Sequence, residues 1–364
     1  MPAYDVIVIG AGMIGASIGW RLAQRGTRVL LIDRERLGGE ASSAGAGMLS
    51  PGGEIETRSA WSDLAAEGLR LYPGFIAELE DETGLHIDFQ RLGAVELAVT
   101  RAEWSALQSR AELQAAMGIA SCPLDAGDLR KHVPLARQDV RGALFYPQEA
   151  LVDPRDTMTA LRAACVARGV EIREGTPVTS IRPRAGEVLV ETPDGVVGAA
   201  AAVLAAGAWS SEIPVEGVTL PRAFPVRGHL VGYQLEPHSL GPLLRWGHTY
   251  VLQRTNGFTV AGTSSEQVGF DRTLDPTILL DIHSRAAELF PPLANCQPVE
   301  SWLGFRPAVD SDHPAIGRAG DTALWLAYGH YRNGILMAPA TAHHVTEGIT
   351  ASRETGRSAP RDTP

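Results

Sequence analysis

Lysine is nearly missing from this chain: Lys131 is the only one in 364 residues, so a Schiff-base or lysine-base mechanism has a single candidate. Cysteine is scarce too. Cys122, Cys165 and Cys296 show no CxxC or metal-like spacing, and their odd number does not suit a secreted disulfide framework, which points to a reducing, cytoplasmic compartment. Positive charge falls short of negative by ten, which argues against a nucleic-acid face, because a polyphosphate binder concentrates Lys and Arg on one surface. No apolar run reaches the ~18 residues that a membrane span needs. The apolar start YDVIVIGAGMIG lacks a basic lead-in and runs into glycines, so it reads as a strand and not a signal peptide. There is no G-x-S-x-G, H-E-x-x-H or Walker A pattern. His343 and His344 are adjacent on a helical pattern and so diverge by about 100°, poor spacing for a shared metal.

What is present is a soluble globular composition, 45% apolar and 20% charged, with enough length for two domains. Tyr4 to Ile9 reads as a short strand, Ile14 to Gly26 as a helix and Val29 to Ile32 as a buried strand, a βαβ start that implies a parallel sheet. Helical and short strand patterns alternate to His132, and α/β character returns from Asp156 to Gly207, with a hairpin turn at Asp194-Gly195. Longer antiparallel strands follow, two of them joined by Asn256-Gly257. A last strand, Leu324 to Tyr328, leads to a final helix from about Gly334 to Ile349, and 350–364 reads as a disordered tail. No internal repeat is present.

Four stretches carry chemistry. Gly10, Gly12 and Gly15 form G-x-G-x-x-G between strand and helix, and Asp33 ends the second strand 23 residues after Gly10 (33 − 10 = 23). That spacing suits an acid on a ribose hydroxyl with a pyrophosphate on the helix N-terminus, and it disfavours a 2′-phosphate; a glycine-rich packing turn without nucleotide is the alternative. The segment GGEASSAGAGMLSP, Gly38 to Pro51, is too small-sided for an independent amphipathic helix and suits the face of a planar ligand, with Ser42 and Ser43 as hydrogen-bonding groups; a flexible loop is the alternative. Arg306 sits in SWLGFRPAVDSDHPAIG, after an apolar strand and before a proline, where a guanidinium needs an anion: a ligand carboxylate, or Asp310 or Asp312 in a structural ion pair. GHYRNGIL, Gly329 to Leu336, places Arg332 before a helix whose N-terminal dipole favours negative charge; His330 reads better as a hydrogen-bonded structural residue than as a base.

These stretches, with YPQEALVDPR, VLAAGAWS, PVRG, GTSSEQVGFD and GHYRNGILMAPATA, resemble the glycine oxidase branch of the D-amino acid oxidase family from Tyr4 to about Ile349. The resemblance implies an α/β, α+β overall, fold: a Rossmann-like FAD-binding domain (1–84, 145–214 and 309–349) and a discontinuous antiparallel-sheet substrate domain (85–144 and 215–308). It implies non-covalent FAD contacts at Gly10, Gly12, Met13, Ile14, Gly15, Asp33, Arg34, Ala41, Ser42, Ser43, Ala46, Gly47, Met48, Val178 and Gly207, and at His330, Tyr331, Arg332, Asn333, Gly334, Ile335 and Leu336. Arg306 matches the arginine that binds the substrate carboxylate, and Tyr250 and Arg332 match pocket-lining residues.

The activity so implied is oxidative deamination of glycine and small amines or D-amino acids. Hydride passes from the α-carbon to flavin N5, no side-chain base is required, and oxygen is reduced to hydrogen peroxide. A role in thiamine biosynthesis, a small amino acid and oxygen as partners, and a tetramer or dimer are also implied. A dehydrogenase passing electrons to a quinone or carrier and a flavin-binding protein without turnover are the alternatives. Gln253, Ser264 and Ser265 depart from the family pattern near the expected pocket, which bears on substrate preference. The related sarcosine oxidases use a pocket lysine and a flavin-linking cysteine; Lys131 lies in an early helical segment and no cysteine follows Arg306.

Overall fold

The computed structural model describes residues 4–184, 186–311 and 313–358. Its first sheet has the order Ser180–Arg184, Glu187–Thr192, Gly195–Leu204, Tyr4–Ile9, Val29–Ile32, Glu171–Arg173. Tyr4–Ile9 pairs in parallel with Val29–Ile32 and Gly195–Leu204, and Leu324–Tyr328 adds in parallel to the end of Gly195–Leu204. The central strands are apolar at successive positions and not at alternate ones because both faces are covered. On one face pack the helices Met13–Gln24, Ala60–Thr83, Pro154–Ala167 and Gly334–Ser358, with Trp20, Tyr72 and Phe75 at their junction. Asp153 caps Pro154–Ala167, accepting from the Arg155 N–H at 2.7 Å, with Pro154 at the first helical position.

The second sheet runs Glu300–Val309, Ala223–Gln234, Phe258–Gly262, Thr249–Gln253, Leu243–Trp246, Ala94–Ala98, Gly142–Tyr146, Cys122–Leu124. It is antiparallel except where Leu243–Trp246 meets Ala94–Ala98. The helix Pro276–Leu289 covers one side with its own core, in which Ile282, Ala286 and Leu289 meet Val231, Tyr233 and Val251. A three-stranded patch of Met48–Leu49, Ala150–Val152 and Phe89–Gln90 lies apart from the two larger sheets. Both expected hairpin turns form: Thr192 pairs with Gly195, and the Phe258 N–H donates to the Asn256 side chain at 2.9 Å.

Two sequence expectations change, and a third segment gains detail. Residues 350–358 are the last turns of the final helix and not a tail; 359–364 lie outside the described residues. The expected boundary between 144 and 145 cuts the strand Gly142–Tyr146, which belongs whole to the second sheet. The segment Gly38–Gly53 carries a four-residue helix, Ala41–Ala44, then the strand Met48–Leu49 and a 3₁₀ turn, Pro51–Gly53. Tertiary contacts override its weak local pattern: the Trp302 indole donates to the Ala44 carbonyl at 2.9 Å.

Candidate active site

The glycine turn is shaped by its own packing. Gly10 has φ +102° and donates to the Ile32 carbonyl at 2.8 Å, and a Cβ on it would meet the Ala205 carbonyl. A Cβ on Gly15 would overlap the Gly10 carbonyl oxygen, so the helix presses directly on the turn. Met13–Gln24 starts with no side-chain cap on Gly12, which leaves its N-terminus facing the space beyond. Ser42 reaches back to accept from the Met13 N–H at 2.8 Å, tying the two halves of that space together. Asp33 accepts from the Ala11 and Glu35 N–H groups at 2.6 and 2.8 Å; burial nonetheless raises its pKa. Arg34 lies 3.9 Å over the Trp209 ring and pairs with Glu40 at 3.3 Å.

The far end is built by the second sheet. Arg306 projects from Glu300–Val309, opposite Val226. Its guanidinium donates to the Thr263 hydroxyl at 2.7 Å and to the Ser264 and Arg227 carbonyls at 3.0 and 3.4 Å. A Cβ on Gly228 would strike the guanidinium, so that approach requires glycine. No carboxylate of the described residues lies within ion-pair distance of Arg306: Asp310 is not a partner, and Asp312 lies outside the described residues. Burial works against its charge and lowers its pKa, with Tyr250 opposing and Arg332 reinforcing that effect. Tyr250 is buried, which raises its pKa against the pull of Arg306 and Arg332.

Arg332 is already partnered, its Nη2 lying 2.8 Å from Glu54. Its side chain is therefore not a free anion receptor, a refinement of the sequence reading in which Glu54 had no part. His330 is buried with Nε2 3.0 Å from the Thr341 hydroxyl, and burial pushes its pKa down to about 3, so it is neutral and structural.

A single cavity of about 540 Å³ connects the two ends. Gly10, Gly12, Met13, Ile14, Asp33, Arg34, Ala41, Ser42, Ala46, Gly47, Met48, Val178, Gly207, Tyr250 and Arg306 line it, together with His330, Tyr331, Arg332, Asn333, Gly334 and Ile335. Three expected contacts do not line it. Gly15 is spent on packing, Ser43 lies off the wall, and Leu336 is fully buried in the core because the helix has already turned inward. Gln253, expected near the pocket, instead faces the sheet's own loops, bonding to the Glu236 carbonyl and the Ser239 hydroxyl at 3.1 and 3.0 Å. Ser264 and Ser265 also lie off the cavity wall. Lys131 is exposed and paired with Asp128, and none of the three cysteines lines the cavity.

Two buried arginines escaped the sequence reading. Arg254 donates to the Val152 carbonyl at 2.9 Å and to the Ala46 carbonyl, and pairs with Asp153 at 3.3 Å, holding the cavity-lining segment 46–48 to the second sheet. Arg245 pairs with Glu149 at 2.8 Å and Glu96 at 3.2 Å, and Arg110 shares Glu96 at 2.5 Å, a charge-balanced cluster of which Arg245 and Glu96 line the cavity. The signal for Arg254 was the one that marked Arg306: a lone cation ending an apolar strand, here VLQR.

The cavity suits FAD. Glycines and alanines of the turn and of segment 41–47 form part of its wall, the N-terminus of Met13–Gln24 lies at one end, and Arg306, with no carboxylate partner among the described residues, at the other. The model of the FAD-dependent oxidoreductase family matches residues 5–348. Glycine oxidase of Geobacillus kaustophilus is 32% identical over 93% of this chain and 90% of that protein. A crystal structure of glycine oxidase from Geobacillus kaustophilus superposes with a TM-score of 0.91, at 30% identity over 96% of this chain and 95% of the other. The bifunctional protein ThiO/ThiG of Trichormus variabilis is 32% identical over 96% of this chain, which spans 53% of that protein. Iminodiacetate oxidase from Chelativorans superposes with a TM-score of 0.87 at 27% identity, over 99% of this chain and 97% of the other.

Proposed function

The chain belongs to the D-amino acid oxidase family of FAD-dependent oxidoreductases and is an FAD-dependent amino acid oxidase, and from that premise we propose that it oxidises glycine and small amines that carry one carboxylate. The observation that carries this reading is Arg306, half-buried, its guanidinium with three neutral hydrogen-bond partners and no carboxylate among the described residues, opening on the cavity. A substrate carboxylate supplies the missing anion.

FAD, when bound, supplies the two-electron acceptor. Gly10, Gly12, Met13 and Ile14 would hold its phosphates, Asp33 and Arg34 its ribose end, and Val178 its adenine. The segment 41–48 and His330 to Ile335 would hold its ring. Arg306 binds the carboxylate and fixes the α-carbon, and Tyr250 closes the wall against water. No side chain acts as base: His330 is turned to Thr341, burial keeps Tyr250 protonated, and the Glu54 carboxylate is engaged by Arg332. The amine must therefore react as the neutral form, having lost its proton to solvent.

Oxygen as acceptor, with hydrogen peroxide as product, is part of the same proposal. The half-length match to ThiO/ThiG supports a supply of imine for thiamine thiazole synthesis. The unpaired cysteines support a cytoplasmic location, and no described helix is long and apolar enough to cross a membrane. A dimer or tetramer is proposed from the resemblance and is checked by sedimentation. The deciding experiment adds glycine to the purified FAD-loaded protein: flavin bleaching without air and peroxide with air are expected. A flavin that no small amine reduces would refute the reading.

A further inference from the structure

Four arginines line the cavity, and three of them are already matched with carboxylates: Arg34 with Glu40, Arg245 with Glu96 and Glu149, and Arg332 with Glu54. Among the described residues, Arg306 alone has none. The Tyr331–Asn333 turn that carries Arg332 packs on Glu300–Val309, the strand that carries Arg306, and Glu54 lines the same cavity, so the pair belongs to the Arg306 end. Glu54 is held in place where the Pro51–Gly53 turn ends, its N–H donating to the Pro51 carbonyl at 3.0 Å, and it is about three-quarters covered.

We propose that Glu54 is a specificity-determining residue: by neutralising Arg332 it leaves Arg306 as the single cation available to substrate, so the site accepts amines with one carboxylate and rejects dicarboxylic amines. This rests on the amine-oxidation reading above. The charge argument is direct. One carboxylate against Arg306 brings the substrate end to neutrality. A second would lie unpaired beside Glu54, where both side chains of the Arg332–Glu54 pair are largely covered, and like charges placed together there are costly. Removing the Glu54 charge reverses both terms: Arg332 becomes a receptor for the second carboxylate, while glycine leaves it unmatched. The nearest dicarboxylic analogue of glycine is iminodiacetate. Its oxidation breaks an α-C–H bond, whose hydride goes to the bound flavin cofactor, and the N–H bond, whose proton goes to solvent, giving the imine; water then cleaves the C=N bond to give glyoxylate and glycine. Dioxygen takes up the two electrons and two protons as hydrogen peroxide.

The test uses the FAD-loaded full chain as wild type, Glu54→Gln and Glu54→Asp. Two readouts are taken: kcat/KM for glycine and iminodiacetate by oxygen uptake, and equilibrium binding of acetate and malonate by calorimetry, which needs no turnover. Wild type should bind acetate at least tenfold more tightly than malonate and prefer glycine. Glu54→Gln should move both ratios at least tenfold toward the dicarboxylate, and Glu54→Asp should keep the wild-type order. Unmoved ratios in Glu54→Gln, or wild type binding malonate as well as acetate, would overturn the proposal. If Glu54→Gln does not hold FAD, the acetate and malonate order in wild type decides alone. Failure of the amine-oxidase reading looks different: no amine reduces the wild-type flavin, while the carboxylate titrations still report the charge limit.

Discussion

Arg306 donates to the hydroxyl of Thr263 at 2.7 Å, and that neutral contact, with two backbone carbonyls, is all that holds its guanidinium among the described residues. The fork is positioned, but its charge is left for a ligand. Arg306→Ala should therefore raise the KM for glycine by on the order of 30-fold or more, since losing one side of a desolvated charge pair costs roughly 2 to 5 kcal/mol. Steady-state kinetics beside a flavin spectrum check this; the flavin should stay bound, and an unchanged KM would remove Arg306 from the site. Thr263→Val should give a smaller rise, because it frees the fork without removing the charge.

Arg254 acts at a distance from substrate. Arg254→Ala removes the ion-pair partner of Asp153, leaving its helix-capping bonds, and releases the Ala46 and Val152 carbonyls. A cost of about 3 to 5 kcal/mol is expected for breaking a buried pair from one side. Thermal unfolding should show a lower Tm and FAD titration a weaker Kd, with the glycine KM of the loaded fraction unchanged.

The two inner glycines of the turn should separate by experiment. Gly15→Ala places a methyl on the Gly10 carbonyl and should prevent stable folding, whereas the Cβ of Gly12→Ala meets only the Ser42 hydroxyl, at 3.0 Å. That second variant should fold and bind FAD more weakly. Circular dichroism and flavin content distinguish the two outcomes.

His330 makes stability depend on pH. Burial holds its folded pKa near 3, below the ordinary 6.5, so between those values the unfolded chain binds more protons. Its contribution is complete above about pH 6.5 and declines as pH falls, with a slope of up to ~1.4 kcal/mol per pH unit from one proton. His330→Asn, which retains a partner for Thr341, should flatten the acid limb of a Tm-against-pH curve relative to wild type. An identical slope in both proteins would show that His330 is not buried neutral.

Much of this protein is local in its causes. The strand Tyr4–Ile9, the three glycines and Asp33 declare a nucleotide turn because backbone conformation and spacing are short-range properties. The final helix and the Asp194-Gly195 and Asn256-Gly257 turns are legible for the same reason, although the helix runs nine residues further than its pattern indicates, from Ile349 to Ser358 (358 − 349 = 9). Arg306 could be marked as a cation in need of an anion, but not whether that anion was Asp310 or a ligand. The tertiary structure sets neutral acceptors around the guanidinium, the Arg227 carbonyl from Ala223–Gln234 and the Thr263 hydroxyl and Ser264 carbonyl from the segment after Phe258–Gly262, and Asp310 is not among its partners. The partnership of Arg332 with Glu54, 278 positions apart (332 − 54 = 278), and the reach of Arg254 to Ala46 had no trace in local pattern. Charge pairing across such separations depends on how two sheets and the cavity between them are assembled, and spacing along the chain does not encode it.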